Sequence, residues 1–348
     1  MKKPVRFQKR LNIPSGRVEM KHGSGGRAMG QMIEELFHQA FSNPYLLQKN
    51  DQAAIALKAG KIAFTTDSFV INPLFFPGGD IGSLSVQGTV NDLAMSGAVP
   101  LFLSAGFILE EGFPLIELEK IVKSMSVAAL EADVQIVTGD TKVVHRGQAD
   151  GMYINTSGIG KIPDNIHISA ELACPGDAIL LSGPVGDHGI AVMAKREGLS
   201  YSTALISDAA ALNGLVSVML EATEDIHVMR DLTRGGLAAA LNEISSTAAV
   251  GMLIEESAVP VRPEVQAACE MLGYDPLNVA NEGKLIAICP PDSAPSLLRA
   301  MQRHPLGKQA AVIGKVVKDD HSFVEMITCL GGKRLVDWIS GDQLPRIC

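Results

Sequence analysis

The amino-acid sequence predicts an α/β protein of two domains, and three observations support this prediction. Strand-like apolar runs alternate with helix-like runs along the chain. A segment rich in proline, glycine and short polar residues, 161–177, interrupts the alternation, which begins again at Ala178. The length of 348 residues suffices for two domains with well-buried cores.

Strands and helices are predicted in turn along the first half of the chain. The clearest helix covers 115–131, where Pro114 stands at the start and apolar residues recur three and four places apart. Such a stripe predicts packing against a sheet. The other elements of this half are a helix at 29–40, a helix-like run at 81–96, and strands at 62–70, 101–109, 134–138 and 153–159.

The second half repeats the alternation after the interrupting segment. Its predicted elements are strands at 178–181, 226–229, 285–289 and 311–317 and helices at 209–220 and 237–249. The chain is therefore divided into a basic, loosely held extension (1–20), an N-terminal domain (21–160), a linker (161–177), a C-terminal domain (178–340) and a mobile tail (341–348).

Composition excludes several classes of function. The formal net charge of -8 gives no basic footprint for nucleic acid. No apolar run approaches the length of about 18 residues that a membrane span needs. The five cysteines are widely spread without a C-x-x-C pair, which indicates neither a disulfide framework nor a zinc site. A cytoplasmic, reducing location is expected.

Four aspartates are candidate ligands of a divalent cation. Asp67, Asp140 and Asp231 stand where apolar strands are predicted to end, whereas Asp92 lies in a helix-like segment. Carboxylates at strand ends meet on one rim of a sheet, and Mg²⁺ takes oxygen ligands together with phosphate oxygens. Each aspartate alone is more often a cap of a turn or helix.

Two glycine-rich turns are candidate anion sites. His22, Gly23, Ser24, Gly25 and Gly26 precede a predicted helix, and glycines let backbone N–H groups approach a phosphate closely. The turn lacks the Gly-Lys-Ser/Thr of a P-loop. A second turn at 233–236 opens a helix and carries Arg234, although its first residues also fit an N-cap.

Three further residues have the chemistry of catalysis. Lys142 follows Asp140 by two places, and Glu282 stands just before the strand at 285–289, so either side chain could transfer a proton or stabilise charge. Both are also ordinary in solvated turns. Cys348 is the last residue, and a thiol at the tip of a mobile segment can travel to a chemical site.

Together these motifs resemble the HypE family of hydrogenase maturation proteins, within the ATP-binding superfamily of aminoimidazole ribonucleotide synthetase and selenophosphate synthetase. The likeness runs from about His22 to Cys348, and the terminal Pro-Arg-Ile-Cys distinguishes this branch. The matching segments are 22–26, 66–68, 73–79, 91–94, 106–112, 139–142, 186–189, 230–236, 281–284 and 345–348. The resemblance offers no counterpart for the N-terminal extension, and its role stays open.

The resemblance implies a two-domain PurM-like fold (α/β, or α+β) with an N-terminal mixed sheet and a C-terminal α/β sandwich. It implies a homodimer paired through the N-terminal sheets, with ATP in the groove beside them. It also implies a reaction. The carbamoyltransferase HypF loads a carbamoyl group on Cys348, and this chain uses ATP to dehydrate the S-carboxamide to an S-thiocyanate. The cyanide then passes to the iron of a [NiFe] centre on a scaffold of HypC and HypD.

The same resemblance implies a role for each candidate residue. Asp67, Asp92, Asp140 and Asp231 would position Mg²⁺ and the triphosphate, which the turn from His22 to Gly26 would cover. Arg234 would contribute to nucleotide binding, Lys142 would steady charge on the oxygen being phosphorylated, and Glu282 would be the base near the nitrogen.

The sequence leaves two alternatives open and disfavours a third. Selenophosphate synthetase would need a reactive cysteine near the N-terminal glycine turn, but the first cysteine is Cys174. Aminoimidazole ribonucleotide synthetase needs no terminal thiol, so its activity would survive loss of Cys348. A non-catalytic ATP-binding scaffold would use the tail only as a docking peptide.

Overall fold

The structure is a computed structural model that describes residues 10–23, 27–48, 53, 55, 60–198, 205–337 and 347. A four-stranded mixed sheet forms its first half. Its strand order is β1 (Lys61–Phe69), β6 (Met152–Ile162), β4 (Val99–Glu110) and β5 (Gln135–Val144). The β4–β5 pair is parallel and the other two pairs are antiparallel. The prediction of a mixed N-terminal sheet is confirmed.

Two long helices, α3 (Ile81–Met95) and α4 (Leu115–Glu131), belong to this half. The Asp80 side chain begins α3 by accepting hydrogen bonds from the backbone N–H groups of Gly82 and Ser83. The stripe of α4 is buried as its sequence spacing predicts. Almost every residue of α3 is buried, because α3 packs against the sheet, α4 and the second half of the chain.

The remaining elements of the first half are short. A helical stretch after the glycine-rich turn consists of α1 (Arg27–Met32), a π-helical turn (Ile33–Phe37) and α2 (His38–Ala40). The strands β2 (Phe75–Phe76) and β3 (Gly79–Asp80) form a small hairpin before α3. Single 3₁₀ turns lie at Met20–His22 and Leu46–Gln48.

The outer face of the N-terminal sheet carries exposed apolar side chains. Side chains alternate between the two faces of a strand, so one face of β1 and β4 packs inward while the other remains open. Phe64 on β1 is 68% exposed and Ile108 on β4 is 43% exposed. Phe64 lies opposite Ile159 of β6, which lies in turn opposite Phe102 of β4. This outer face is defined here by Ile62, Phe64, Phe102, Ile108 and Ile159.

Part of the N-terminal extension is packed on this domain. The Val18 side chain is 1% exposed, and its backbone N–H donates to Phe113 while its carbonyl accepts from Gly112. Arg17 forms a β-bridge with Pro114. The expectation of a loosely held extension is therefore wrong for residues 10–20, because backbone hydrogen bonds hold them beside the start of α4.

A seven-stranded sheet forms the second half of the chain, flanked by helices. Its strand order is β13 (Lys333–Leu335), β12 (Val324–Ile327), β9 (Gly251–Glu255), β11 (Ala311–Val317), β7 (Ala178–Leu181), β10 (Leu285–Cys289) and β8 (Val228–Asp231). Only the β12–β9 pair among these described strands is parallel. The helices are α5 (Asp187–Arg196), α6 (Asn213–Ala222), α7 (Gly236–Ala248), α8 (Pro263–Leu272) and α9 (Ala294–Arg303). Further 3₁₀ turns occupy Ala170–Leu172, Glu256–Ala258, Pro276–Asn278 and Pro305–Gly307.

The observed elements correct the placement of two aspartates. Asp67 and Asp140 were expected at strand ends, but both lie inside longer strands. β1 continues pairing with β6 beyond Asp67, and β5 pairs with β4 as far as Val144. Asp231 does end its strand, and the strands predicted at 178–181, 285–289 and 311–317 are confirmed.

No helix within the described parts of the chain combines the length and apolar character needed to cross a membrane.

Candidate active site

Four carboxyl groups from the two halves of the chain gather where α3 packs against β8. Asp67 lies on the inner face of β1, opposite the buried Thr156, and Asp92 lies on α3. Asp231 is the last residue of β8, and Glu282 precedes β10. This acidic cluster of Asp67, Asp92, Asp231 and Glu282 unites four of the residues predicted from the sequence.

Burial and mutual repulsion disfavour the ionised form of these carboxyl groups. Burial raises the pKa of Asp67, and the charge of Asp92 raises it further. Burial raises the pKa of Asp92 in spite of the hydrogen bond of 2.7 Å that Thr65 Oγ1 donates to it. Burial, then Asp92, raise the pKa of Asp231 to about 7. Burial, Asp231 and other nearby carboxylates raise the pKa of Glu282 well above its ordinary value.

Two arginines only partly offset this negative charge. Arg230 and Arg234 both lower the pKa of Asp92, and Arg234 also lowers that of Asp67. Arg230 is also paired with Glu243, and about half of its side chain is exposed. Arg234, the predicted anion-binding residue, therefore lies close enough to Asp67 and Asp92 to affect the pKa of both. The cluster nevertheless has more negative than positive charge, which favours a bound cation.

A network around Asp208 fixes the turn that carries Glu282. The Asp208 carboxylate accepts from the backbone N–H groups of Glu282 and Gly283, each at 3.2 Å, and pairs with Lys284 Nζ at 3.1 Å. A Cβ on Gly283 would lie 1.9 Å from the Asp208 carbonyl oxygen, so the turn needs glycine there. Oε1 of Glu282 is buried and has no hydrogen-bond partner among the described residues. Its oxygen is thus available to a ligand.

Two buried asparagines connect the segments that surround the cluster. Asn91 on α3 donates to the carbonyl oxygens of Ala210 and Glu282, each at 3.1 Å, and accepts from the N–H of Leu212 at 2.7 Å. Asn281 accepts from the N–H of Gly186 at 2.7 Å. These bonds tie α3 to the Glu282 turn and that turn to α5.

Other predicted site residues lie elsewhere in the chain. Asp140 and Lys142 form an exposed pair on β5, with Lys142 Nζ 2.9 Å from Asp140 Oδ2. The hydrogen bond from Lys142 lowers the pKa of Asp140. β5 is three strands away from β1 in the sheet order, so at an ordinary strand spacing Asp140 is about 14 Å from Asp67 across the sheet. Register also puts Asp140 and Asp67 on opposite faces.

The described part of the glycine-rich turn contacts the same edge strand. His22 is buried, its Nδ1 accepts from the N–H of Glu19 at 2.9 Å, and burial lowers its pKa. A Cβ on Gly23 would lie 2.7 Å from the backbone nitrogen of Val143 on β5. Ser24, Gly25, Gly26 and Cys348 lie outside the described residues. Their predicted roles are taken up again below.

An apolar cavity of about 120 Å³ lies between the helical stretch at 27–40 and β5. Met29, Ile33, Phe37, Phe107 and Ile136 line it, and Asp140 also borders it. A cavity of this size holds about one aromatic ring.

The residue before the terminal cysteine is docked on the protein. Ile347 is 4% exposed and belongs to the same apolar cluster as Val192 and Ala280. Its carbonyl oxygen accepts a hydrogen bond of 2.6 Å from Nε2 of His188. Gly189, the next residue after His188, donates its backbone N–H to the Ala280 carbonyl, two residues before Glu282. Ile347 therefore lies beside the segment that leads to the Glu282 turn.

A separate group of potential metal ligands closes a turn. Within the described residues, Cys174, Asp177 and His227 bring their ligand atoms within 4.8 Å of one another. Asp177 accepts from the backbone N–H of Cys174 and pairs with His227 Nδ1, each at 2.8 Å. Both contacts are made to the same carboxylate oxygen, Oδ2, and hold the turn before β7.

Sequence reasoning missed Asn91, Asp208 and His188 as site residues. Asn91 and His188 stand inside segments that carry the resemblance, next to Asp92 and in Gly186-Asp187-His188-Gly189, which was their only signal. Asp208 lies in a segment without regular structure and no motif marks it. Its importance arises from contacts with residues about 75 positions away, which spacing cannot reveal.

Family models and known proteins match the fold of this chain. The N-terminal domain of AIR synthase related proteins matches residues 49–162, and the C-terminal domain matches residues 174–327. A "Carbamoyl dehydratase HypE" from Rhizobium leguminosarum bv. viciae is 57% identical over 343 residues, covering 98% of each chain. The chain therefore belongs to the AIR synthase related proteins and, within them, to the HypE family of carbamoyl dehydratases, as its motifs predict.

Two solved structures resemble the fold closely. A crystal structure of hydrogenase maturation protein HypE in complex with ATP has a TM-score of 0.91 and 50% identity, and the match covers 95% of this chain and 99% of that one. A HypE–HypF complex has a TM-score of 0.78 and 50% identity, with coverage of 88% and 99%. The predicted PurM-like architecture is thereby confirmed.

Proposed function

We propose that this chain uses ATP to dehydrate a carbamoyl group carried on the Cys348 thiol. The product is an S-thiocyanate, which supplies cyanide for the iron of a [NiFe]-hydrogenase. Family membership supports the type of reaction. The single structural observation that supports Cys348 as the carrier is the docking of Ile347, whose carbonyl belongs to the peptide bond with Cys348.

The reaction needs a leaving group in place of the amide oxygen. Transfer of the γ-phosphoryl group of ATP to that oxygen forms a C–O–P linkage and releases ADP. Loss of both nitrogen protons then lets the C–O bond break, so that phosphate leaves and the C≡N bond forms. The sum is S-carboxamide plus ATP to S-thiocyanate, ADP and phosphate.

Glu282 is the proposed base for the nitrogen protons. Its carboxyl group is buried, Oε1 lacks a hydrogen-bond partner within the described structure, and its pKa is raised. A raised pKa makes the ionised carboxylate a stronger base than an ordinary one. The bonds from Asp208 hold the backbone of this residue in place, which keeps the base in a fixed position.

Asp67, Asp92 and Asp231 are the proposed holders of Mg²⁺. Their carboxyl oxygens are the ligands that this hard cation prefers, and the raised pKa values of Asp67 and Asp231 result partly from repulsion that a cation would relieve. The residues present therefore fit the metal. When bound, Mg²⁺ supplies positive charge to the triphosphate. Arg234 is placed to add to that positive charge.

The outer face of the N-terminal sheet is the proposed dimer interface. Ile62 and Phe64 are exposed on this face, and Phe64 lies in register with Ile159 and Phe102, so these apolar side chains form one patch of the kind that marks an interaction site. Asp140 and Lys142 share this face. We therefore propose that they act on the site of the partner subunit, where Lys142 would stabilise charge on the carbamoyl oxygen and Asp140 would join the metal ligands.

The glycine-rich turn is the proposed cover of the nucleotide. His22 and Gly23 hold the start of the turn against β5, and Ser24, Gly25 and Gly26 would donate N–H groups to phosphate oxygens. The apolar cavity beside β5 would accept one aromatic ring of the nucleotide.

The proposed partners follow from the family and from the reaction. A carbamoyltransferase of the HypF type would load Cys348, and the solved HypE–HypF complex is that of a relative at 50% identity. HypC and HypD would form the scaffold that receives the cyanide. A reducing cytoplasm would keep the Cys348 thiol free for loading.

ATP hydrolysis tests this proposal. Purified chain carbamoylated by its transferase should hydrolyse about one ATP per carbamoyl group, whereas unloaded chain and Cys348→Ala should not. Cys329→Ser removes another exposed thiol and is the matched control, which should behave as wild type. Hydrolysis that is indifferent to Cys348 would support an ATP-binding scaffold instead.

A further inference from the structure

His188 is enclosed at the start of α5 and both of its ring nitrogens are hydrogen-bonded. The residue is 0% exposed. Nε2 is 2.6 Å from the carbonyl oxygen of Ile347, and Nδ1 is 2.8 Å from Oγ of Ser207. The ring of Phe76 meets the imidazole edge-on, with centroids 5.3 Å apart. A buried histidine with this environment has one defined orientation.

The partners of His188 also define its tautomer. The Ile347 carbonyl can only accept, so Nε2 must carry the proton. Ser207 Oγ accepts from the backbone N–H of Ala209 at 3.0 Å, which leaves its own O–H free to donate to Nδ1. A neutral imidazole with its proton on Nε2 satisfies every one of these bonds. Burial lowers the pKa of His188, which agrees with the neutral form.

Two separate segments support this arrangement. Ser207 is held by a backbone bond from its N–H to the Pro77 carbonyl at 2.9 Å. The hairpin of β2 and β3 supplies Phe76, which belongs to the same apolar cluster as Ile347. Ile347 is thus bound in two ways: the ring N–H of His188 donates to its carbonyl oxygen, and an apolar cluster buries its side chain.

We infer that His188, oriented by Ser207, is a positioning residue that anchors the last peptide bond of its own chain so that the Cys348 side chain is presented to the active site. The inference rests on the proposed function for the reaction that it serves. His188 touches neither the thiol nor the reacting atoms in this account. Its effect is to reduce the number of positions that the terminal residue can occupy.

Two substitutions of similar size test the N–H donor. His188→Gln keeps a side-chain N–H able to reach the carbonyl, whereas His188→Leu fills the space without a donor. With saturating ATP and carbamoylated chain, single-turnover dehydration should fall about 10- to 100-fold in His188→Leu, because a buried carbonyl loses its partner. His188→Gln should recover most of the rate, and the KM for ATP should be unchanged in both.

Alkylation of the thiol gives a readout that needs no catalysis. Iodoacetamide labelling of Cys348, followed in the peptide 342–348 released by cleavage before Asp342, should be about tenfold faster in His188→Leu than in wild type. Ser207→Ala should give an intermediate rate, since Nδ1 loses its donor. Equal labelling and equal dehydration in wild type and His188→Leu would overturn the inference. So would a His188→Gln variant as impaired as His188→Leu, since packing alone would then explain the loss.

A mixed dimer tests whether the anchor belongs to the same chain. Dimers that combine one His188→Leu subunit with one Cys348→Ala subunit should be as slow as His188→Leu homodimers, because the only thiol-bearing tail has no anchor of its own. Activity near half that of wild type would contradict anchoring within one chain. The labelling rate could depend on His188 in a protein that never dehydrates its carbamoyl group. That result would contradict the proposed function but support the role of His188 as an anchor.

Discussion

Asn91 on α3 donates a hydrogen bond of 3.1 Å to the backbone carbonyl of Glu282, although the two residues are 191 positions apart. The same amide also bonds Ala210 and Leu212. One buried side chain therefore couples the helix that carries Asp92 to the turn that carries the proposed base. The relative position of metal ligands and base depends on this contact.

Asn91→Ala should destabilise the protein and slow dehydration. The substitution leaves one N–H and two carbonyl oxygens without their partner, and each unsatisfied buried group costs about 1–3 kcal/mol. Thermal unfolding should show a lower Tm, and single-turnover kinetics of the folded fraction should show a lower rate. An unchanged Tm and rate would mean that the observed bonds do not couple the two segments.

Gly283→Ala should disturb the Glu282 turn selectively. The added Cβ would collide with the Asp208 carbonyl, because only 1.9 Å is available. We expect a loss of stability of about 1–3 kcal/mol together with a large loss of activity. Gly30→Ala is the matched control, since a Cβ there meets nothing within 4 Å. Chemical denaturation and activity should leave this control at wild-type values or above them.

The stability of the protein should depend on pH through Asp231. The folded pKa of about 7 lies above the ordinary value of an unfolded aspartate. The folded state therefore binds this proton more tightly, and its contribution to stability is complete below about pH 4 and is lost as pH rises towards 7. Asp231→Asn should flatten this part of a Tm-against-pH curve and raise Tm at pH 8. A variant less stable than wild type at pH 8 would contradict the assignment.

Magnesium binding should offset the loss of stability that follows ionisation of Asp231. A cation at Asp67, Asp92 and Asp231 needs ionised carboxylates, so binding releases protons and strengthens as pH rises. Mg²⁺ alone should therefore raise Tm more at pH 8 than at pH 5.5. The double variant Asp67→Asn with Asp231→Asn should lose most of this increase. An increase that is independent of pH, or retained in the double variant, would locate the metal elsewhere.

The outer face should mediate dimerisation. Phe64→Asp introduces a charge beside Ile62, Ile159 and Phe102 of the outer face, and burying an unpaired charge is costly. Sedimentation velocity should show a shift from dimer to monomer. Leu130→Asp is the matched control, because Leu130 on α4 is 81% exposed and lies outside this face. A monomeric wild type, or dissociation by both variants alike, would exclude the proposed interface.

Local pattern was enough to predict much of the fold. The apolar stripe of α4 and the strands at 178–181, 285–289 and 311–317 follow from spacing that reflects burial. Asp67 and Asp140 look alike in the sequence, since each follows an apolar run. Only strand pairing decides that they lie on opposite faces of one sheet.

Long-range contacts were beyond the reach of the sequence. The resemblance grouped Asp67, Asp92 and Asp231 as metal ligands together with Asp140, but the sequence did not show that Asp140 lies apart from them or that Glu282 joins them. Asp208 and His188 act through the backbone of distant segments, at separations of about 75 and 159 residues. Sequence spacing cannot predict such long-range contacts, because it shows only which face of a single helix or strand is buried.

Intact-mass spectrometry of the carbamoylated chain is the most direct test of the whole account. After loading by the carbamoyltransferase, addition of ATP and Mg²⁺ should remove the mass of one water from the peptide that contains Cys348. Glu282→Gln should load normally and keep its carbamoyl group. An adduct on another residue, or a carbamoyl group on Cys348 that persists in wild type with ATP present, would contradict the central claim.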